Sequence, residues 1–188
     1  MKTAGMIVDL VHTTTRDGLR LDGAFQPPIS SAIPELDLDA VCFIHGTGSN
    51  FYGSTLFDTL GDGFRSLGCG VLRINTRGHD MMSVAAKSGG GGLIQGASHE
   101  VVERCRLDVA AWMAWLRQMG GARIGLVGHS LGAVKALFAV AQEPPLEPQC
   151  IIAISPPCLS YSRFCDSSKA QEFRRTYQQA QDLIDVGE

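Results

Sequence analysis

Apolar residues in this chain are grouped in short runs that alternate with stretches of helical periodicity. Four compact apolar runs predict buried strands, at residues 40–45, 69–74, 124–129 and 150–155. Apolar positions recur every three or four residues elsewhere, which predicts helices at about 54–67, 98–118 and 130–142 and from about 168 onward. Strands buried on both faces are typical of parallel sheets. The alternation predicts an α/β fold with a mainly parallel sheet.

Two regions fall outside this alternation. Residues 6–14 and 19–26 are short strand candidates on either side of the turn Arg16-Asp17-Gly18, and they predict an antiparallel hairpin. Residues 78–97 show no periodicity and include four consecutive glycines at 89–92, so we expect a mobile loop there. Ser98 follows this loop and is predicted to cap the helix that runs to about residue 118.

Composition narrows the class of protein. The 188 residues are 45% hydrophobic, which suffices for one domain with a sizeable core. A net charge of -3 with both signs scattered argues against a nucleic-acid partner. No apolar run reaches membrane-spanning length and the first residues do not resemble a signal peptide, so we expect a cytoplasmic protein without a membrane partner. The cysteine spacing does not predict a metal site.

One short motif carries the candidate chemistry. Gly128-His129-Ser130-Leu131-Gly132 fits the pattern G-x-S-x-G, and it stands where a predicted strand meets a predicted helix. A serine on such a sharp turn is lifted clear of the sheet, and the tight turn requires glycine two residues before and two residues after it. The helix N-terminus favours negative charge, and the Leu131 N–H is placed to meet a developing oxyanion.

Two further motifs give this pattern a family resemblance. The sequence FIHGTGSN, at 43–50, follows a predicted strand, and INTRGHD, at 74–80, follows the next one. Together with GHSLG these motifs resemble the α/β-hydrolase superfamily along most of the chain. The resemblance implies a mainly parallel sheet with helices on both faces and an N-terminal antiparallel hairpin. Acyl-carrier acyltransferases also use a GHSLG-like serine, but the loop that begins at His45 fits them less well.

The resemblance implies a carboxylesterase-like serine hydrolase that cleaves an ester or similar acyl bond of a small-molecule substrate. Ser130 would be the nucleophile, and the N–H groups of Thr47 and Leu131 would form the oxyanion hole. No cofactor and no metal is implied. The residues expected to support these motifs are His45, which would bond the loop backbone, and the glycines Gly46, Gly48, Gly128 and Gly132.

The base that would activate Ser130 is not evident. In this superfamily an acid and then a histidine follow the serine, whereas the five histidines of this chain are at or before residue 129. Three explanations are open. Residues 1–188 could be a single, incomplete domain with the C-terminal strands missing, and the base and acid outside the chain. The chain could instead be a non-catalytic binding or interaction protein, or an earlier histidine could serve, with His79 the best placed.

The predicted edge of the sheet has a consequence for assembly. If the sheet ends at residues 150–155, that apolar strand leaves unpaired N–H and C=O groups along an open edge. Such an edge invites pairing with another chain. We therefore expect the chain to form a homo-oligomer, or to aggregate, through this sheet edge.

Overall fold

The computed structural model describes residues 7–29, 35–142 and 144–187. These residues form two compact units, Met1–Pro156 and Pro157–Glu188. The first unit contains a six-stranded sheet and a separate two-stranded hairpin. The sheet strands are β1 Asp9–Thr14, β2 Arg20–Gln26, β3 Ala40–Ile44, β4 Gly70–Ile74, β7 Ile124–His129 and β8 Cys150–Ile154. The helices of this unit are α1 Thr55–Ser66, α2 Cys105–Gln118 and α3 Leu131–Val140.

The order of strands in the sheet is β1-β2-β4-β3-β7-β8. The first pairs, β1 with β2 and β2 with β4, are antiparallel, and the remaining neighbours are parallel. This is the α/β architecture that the sequence predicts, including the N-terminal hairpin. Ile44 is in register with Ile74 on one side and with Gly128 on the other. The loops that follow β3, β4 and β7 therefore begin side by side at one edge of the sheet.

Helices cover both faces of the sheet. On one face, Phe57 of α1 packs with Val41, Phe43, Val71 and Val127 of the central strands. On the other face, Trp112 and Met113 of α2 and Ala136 of α3 pack with the strand residues Cys42, Ile44 and Leu72, which alternate with those of the first face. Since successive side chains of a strand point to opposite faces, strands apolar at every position can be buried on both sides.

Two predictions for the region before α2 were wrong. Residues 78–97 contain an antiparallel hairpin, with strands β5 Ser83–Ala86 and β6 Gly92–Gln95, rather than an irregular loop. These strands carry too few apolar residues for a clear alternation, and the glycines at 89–91 supply the positive φ angles of the turn. Ser98 does not cap a helix, because its hydroxyl donates a hydrogen bond to the Met81 carbonyl and α2 begins only at Cys105.

The second unit is a pair of helices, α4 Tyr161–Cys165 and α5 Ala170–Asp185. The rings of Tyr161 and Phe164 on α4 pack against Phe173 of α5, with centroid distances of 5.5 and 5.1 Å. The sequence predicts α5 but not α4, which at five residues is too short for a periodic signal. The single-domain interpretation of residues 1–188 remains a prediction. None of the helices in the described ranges is both long and apolar enough to cross a membrane.

A buried ion pair fixes the chain where it leaves β4. The Arg77 guanidinium and the Asp108 carboxylate are 3% and 0% exposed, and their closest atoms are 2.8 Å apart. Asp108 also accepts a hydrogen bond from the Arg77 main-chain N–H, and Asp17 contacts the other side of the guanidinium at 3.0 Å. Burial alone would lower the pKa of Arg77, but the hydrogen bonds that its guanidinium donates to Asp108 and Asp17 outweigh burial and raise that pKa. Arg77 is therefore held as a permanent cation inside the fold.

Replacing one member of this pair tests its role. Asp108→Asn leaves the Arg77 charge buried with Asp17 as its remaining carboxylate, so we expect a loss of about 3 kcal/mol or more in the free energy of unfolding. Urea denaturation provides the measurement. Asp62→Asn is the matched control, because Asp62 is an exposed partner of Arg65, and its change should stay within about 0.5 kcal/mol. Equal effects of the two substitutions would contradict this account.

The sheet edge generates a second prediction. Within the described residues β8 pairs with β7 alone, and we propose that a second copy of the chain pairs along its free side. Ile152, at the middle of β8, is 40% exposed, and Ile152→Lys should weaken association because charge on an edge strand opposes pairing. Sedimentation velocity over a range of concentrations measures this. Ile94→Lys, on the separate hairpin, is the control, and a wild-type protein that is monomeric throughout would refute the proposal.

Candidate active site

Ser130 occupies the turn between β7 and α3. Its φ and ψ angles are 54° and -126°, and it is the residue that immediately precedes the first turn of α3. A positive φ is rare for residues other than glycine and costs on the order of 1–3 kcal/mol, so it persists only where the surrounding structure enforces it. The Ser130 N–H donates to the Ile154 carbonyl at 2.9 Å. The hydroxyl forms no hydrogen bond to any of the described residues and does not cap the helix.

Close backbone packing explains the glycines on either side of Ser130. A Cβ atom added to Gly128 would lie 2.3 Å from the carbonyl oxygen of Gly132, and one added to Gly132 would lie 2.1 Å from that of Ile44. Contacts this short with backbone atoms exclude every other residue. The first turn of α3 thus packs directly on the main chain at the end of β3, which fixes Ser130 relative to the loop after that strand.

That loop begins with Gly46 and passes beside the serine. A Cβ atom added to Gly46 would lie 3.0 Å from the Ser130 Cβ and 3.5 Å from its hydroxyl oxygen. The main-chain N–H of the next residue, Thr47, donates no hydrogen bond within the described part of the chain. The N–H of Leu131, as the first residue of α3, has no partner within that helix. The structure therefore brings together Ser130, the loop that carries the Thr47 N–H and the start of α3, which carries the Leu131 N–H.

A cavity of about 330 Å³ opens on these groups. Its walls combine the predicted residues Gly46, Thr47 and Ser130 with others that were not predicted as site residues: Ser49, Gly53, Ser54, Thr55, Leu56 and His129. Most of these side chains are small or carry hydroxyl groups. Ser54 is also the N-cap of α1, because its hydroxyl accepts a hydrogen bond from the Phe57 N–H at 3.3 Å. The sequence signal for this cap is a serine that stands directly before an apolar pattern of helical spacing.

His45 is buried beneath the loop rather than facing the cavity. Its Nδ1 lies 2.8 Å from the Gly46 carbonyl oxygen, and its Nε2 accepts the main-chain N–H of Thr76 at 3.1 Å. Burial, reinforced by the nearby positive charge of Lys135, lowers the pKa of His45 to about 4. The ring is therefore neutral at pH 7, with its proton on Nδ1. It bonds the loop backbone and makes no hydrogen bond to Ser130.

The segment after β4 supports the same loop from the other side. The Asp80 N–H donates to the Ser49 carbonyl at 2.9 Å, and the Asn50 amide donates to the Asp80 carboxylate at 2.7 Å. Gly48 has a φ of +61°, and a Cβ atom there would lie 2.9 Å from the Met81 sulfur. These contacts explain why the segment that contains Gly48 follows one path past Ser130.

Of the histidines before Ser130, His79 is the one that the sequence places best to serve as its base, but in the structure the His79 ring contacts other groups. Its Nδ1 lies 2.9 Å from the Asp80 carboxylate and its Nε2 lies 3.2 Å from the Ser83 hydroxyl. No histidine ring among the residues the structure describes forms a hydrogen bond to Ser130. The described residues also contain no cluster of three or more His, Cys, Asp or Glu side chains that could hold a metal ion.

Comparison with solved structures identifies the same architecture elsewhere. A Pyrococcus furiosus esterase is 22% identical, with a TM-score of 0.61, over 92% of this chain and 59% of its own. The α/β hydrolase GrgF from a Penicillium species is 17% identical, with a TM-score of 0.64, over 97% of this chain and 56% of its own. A lidless α/β serine hydrolase of Xanthomonas campestris is 23% identical, with a TM-score of 0.53, over 86% of this chain and 66% of its own.

These likenesses concern the fold, and the chain spans about half to two thirds of the length of those proteins. The comparison with curated protein sequences gave no significant match. The sequence profile of the alpha/beta hydrolase family matches residues 43–183, which is most of the chain and includes the loop after β3 as well as Ser130. The chain therefore belongs to the alpha/beta hydrolase family.

Proposed function

We propose that this protein is a serine hydrolase that cleaves an ester or similar acyl bond through an acyl-enzyme on Ser130. The observation that carries the proposal is the strained backbone of Ser130, whose hydroxyl is free of hydrogen bonds to the described residues and lines a cavity. Strain of this kind is kept where it positions a reacting group. The esterase and serine hydrolase among the structures of similar fold support this choice of reaction.

In the proposed reaction the Ser130 oxygen attacks the carbonyl carbon of the substrate. A base takes the hydroxyl proton, and negative charge develops on the carbonyl oxygen. The Thr47 and Leu131 N–H groups receive that oxyanion, assisted by the positive end of α3. Collapse of the tetrahedral intermediate expels the leaving group, which takes the proton from the base. Water then hydrolyses the acyl-enzyme by the same steps and restores the Ser130 hydroxyl.

The proposal places the base and its acidic partner outside the 188 residues. His45 is committed to Gly46 and Thr76, and His79 to Asp80 and Ser83, so neither ring is available to Ser130 in this arrangement. The same observation favours a second candidate function, that of a non-catalytic member of the family that binds ligands or partners. Labelling of Ser130 distinguishes the two functions, because a serine without a base is a poor nucleophile.

A fluorophosphonate probe tests the nucleophile. By full-length protein we mean these 188 residues together with the segment proposed to supply the base and acid. We expect this protein to be labelled, and its Ser130→Ala variant to lose both labelling and esterase activity while remaining folded by circular dichroism. Ser83→Ala is the matched control: Ser83, unlike Ser130, contacts a histidine that contacts an aspartate, and its replacement should leave labelling unchanged. Labelling that survives in Ser130→Ala would refute the assignment. An unlabelled, folded full-length protein would favour the binding function.

Gly46→Ala tests the loop beside the nucleophile. The added methyl group would lie 3.0 Å from the Ser130 Cβ, so either the loop or Ser130 must give way by a few tenths of an ångström, which displaces the Thr47 N–H relative to the nucleophile. We expect kcat to fall about 100-fold, the order of effect of losing one oxyanion donor. Steady-state kinetics on a short-chain ester provide the measurement. Gly63→Ala, where an added methyl group meets nothing within 4 Å, is the control and should leave kcat unchanged. Equal kcat values for both variants would contradict this role of the loop.

A further inference from the structure

A buried ion pair lies beneath the candidate site and has no part in the reaction described above. Lys135 on α3 and Glu100, ahead of α2, have side chains that are 0% and 3% exposed, with Nζ and Oε1 2.6 Å apart. Lysine is almost never fully buried unless paired, and a buried pair seldom stabilises a protein more than apolar residues of similar size. Stability alone therefore does not account for two charges at this position.

Hydrogen bonds connect this pair to the loop after β3. Lys135 Nζ lies 3.1 Å from the Thr76 hydroxyl, and that hydroxyl lies 3.1 Å from His45 Nε2. The Thr76 main-chain N–H donates to the same nitrogen. An ammonium group can only donate, so the Thr76 oxygen accepts from Lys135 and its own proton is directed to His45. The hydroxyl and the main-chain N–H of Thr76 thus share the lone pair of His45 Nε2. This nitrogen must therefore be unprotonated, and the ring proton is on Nδ1.

The last link determines the direction of one main-chain N–H. His45 Nδ1 donates to the Gly46 carbonyl oxygen at 2.8 Å, and the Ser49 N–H donates to the same oxygen at 3.2 Å. The Gly46 carbonyl and the Thr47 N–H belong to one planar trans peptide group and point in opposite directions. A contact that holds the carbonyl on the buried side consequently turns the Thr47 N–H toward the other side.

We propose that Lys135, held by Glu100, is a positioning residue that fixes the oxyanion hole through Thr76 and His45. The inference rests on the proposed function, since it concerns the same two N–H donors. Those donors belong to different elements: Leu131 begins α3, and Thr47 follows β3. Lys135 lies on α3 itself, so the chain of hydrogen bonds ties the helix that carries one donor to the loop that carries the other.

Replacements at Thr76 interrupt this connection with little change of shape. Thr76→Val removes the hydroxyl but keeps the main-chain N–H, and Thr76→Ser keeps both. In the full-length protein we expect Thr76→Val to lower kcat about 10- to 100-fold with little change in KM, because a transition-state contact is lost. Thr76→Ser should restore most of the rate. Equal activity of the two variants would overturn the proposal.

The charged pair is tested by removing both charges together. Lys135→Met combined with Glu100→Gln avoids an unpaired buried charge, and Lys87→Met, on the exposed hairpin, is the control that should keep the wild-type rate. We expect the double variant to lose kcat as Thr76→Val does. Adding Thr76→Val to it should cost little more, because both changes break the same chain. Full additivity would show that the pair acts independently of Thr76.

Nuclear magnetic resonance of the His45 ring gives a readout that does not depend on catalysis. In the wild type we expect the Nδ1–H tautomer and a pKa of about 4, with burial the main cause and Lys135 the next. The double variant should raise that pKa, because it removes the neighbouring positive charge, and Lys87→Met should not. The charged or titratable side chains that act on the pKa of His45 are those of Lys135, His79 and Asp80, and of these three the double variant changes Lys135 alone.

The two readouts separate the possible failures. If Ser130 is never labelled but the His45 tautomer and pKa respond as expected, the proposed function fails and the positioning of the loop stands. If Ser130 is labelled while the His45 resonances and kcat are unaffected in both Thr76→Val and the double variant, the positioning role is wrong. Thermal unfolding of each variant establishes that the rates refer to folded protein.

Discussion

The contact on which the rest of the site depends is that of one backbone with another, where α3 meets the end of β3. Gly132 leaves no room for a Cβ atom against the Ile44 carbonyl, and Gly128 leaves none against Gly132. This approach forces Ser130 into its positive φ and holds it against the loop that starts at Gly46. Because backbone atoms cannot rotate away as side chains can, the separation between helix and loop is set by the fold itself.

Register in the sheet extends this constraint to three loops. Ile44 and Ile74 end β3 and β4 and are level with Gly128, the last residue but one of β7, so His45, Thr76 and Ser130 follow at the same edge. The loops differ in how they are tied down. The segment after β4 depends on a buried guanidinium and its carboxylates, whereas the loop after β3 depends on a neutral histidine and on Asp80.

The motifs of the sequence were sufficient for the central part of this arrangement. A strand followed by Gly128 and Ser130 predicts a strained turn, because the spacing of glycines reflects a local steric requirement. The hairpin of β5 and β6 was missed because its strands are short and mostly exposed, so no core imposes an alternation on them. Ser98 was misassigned because a capping pattern is local, while its hydroxyl found a partner 17 residues away in sequence.

Sequence alone therefore determined the class of fold, the mainly parallel pairing of the strands and the position of the candidate nucleophile, since periodicity and glycine spacing follow from local geometry. The tertiary structure decided which polar groups meet. The partners of Lys135 are Glu100 and Thr76, 35 and 59 residues away, and neither local propensity nor a motif specifies such pairs. It also decided that the ring of His79, a candidate base in the sequence, bonds Asp80 and Ser83 instead of Ser130. Long-range hydrogen bonds are selected by packing of the whole chain, which no short window of sequence contains.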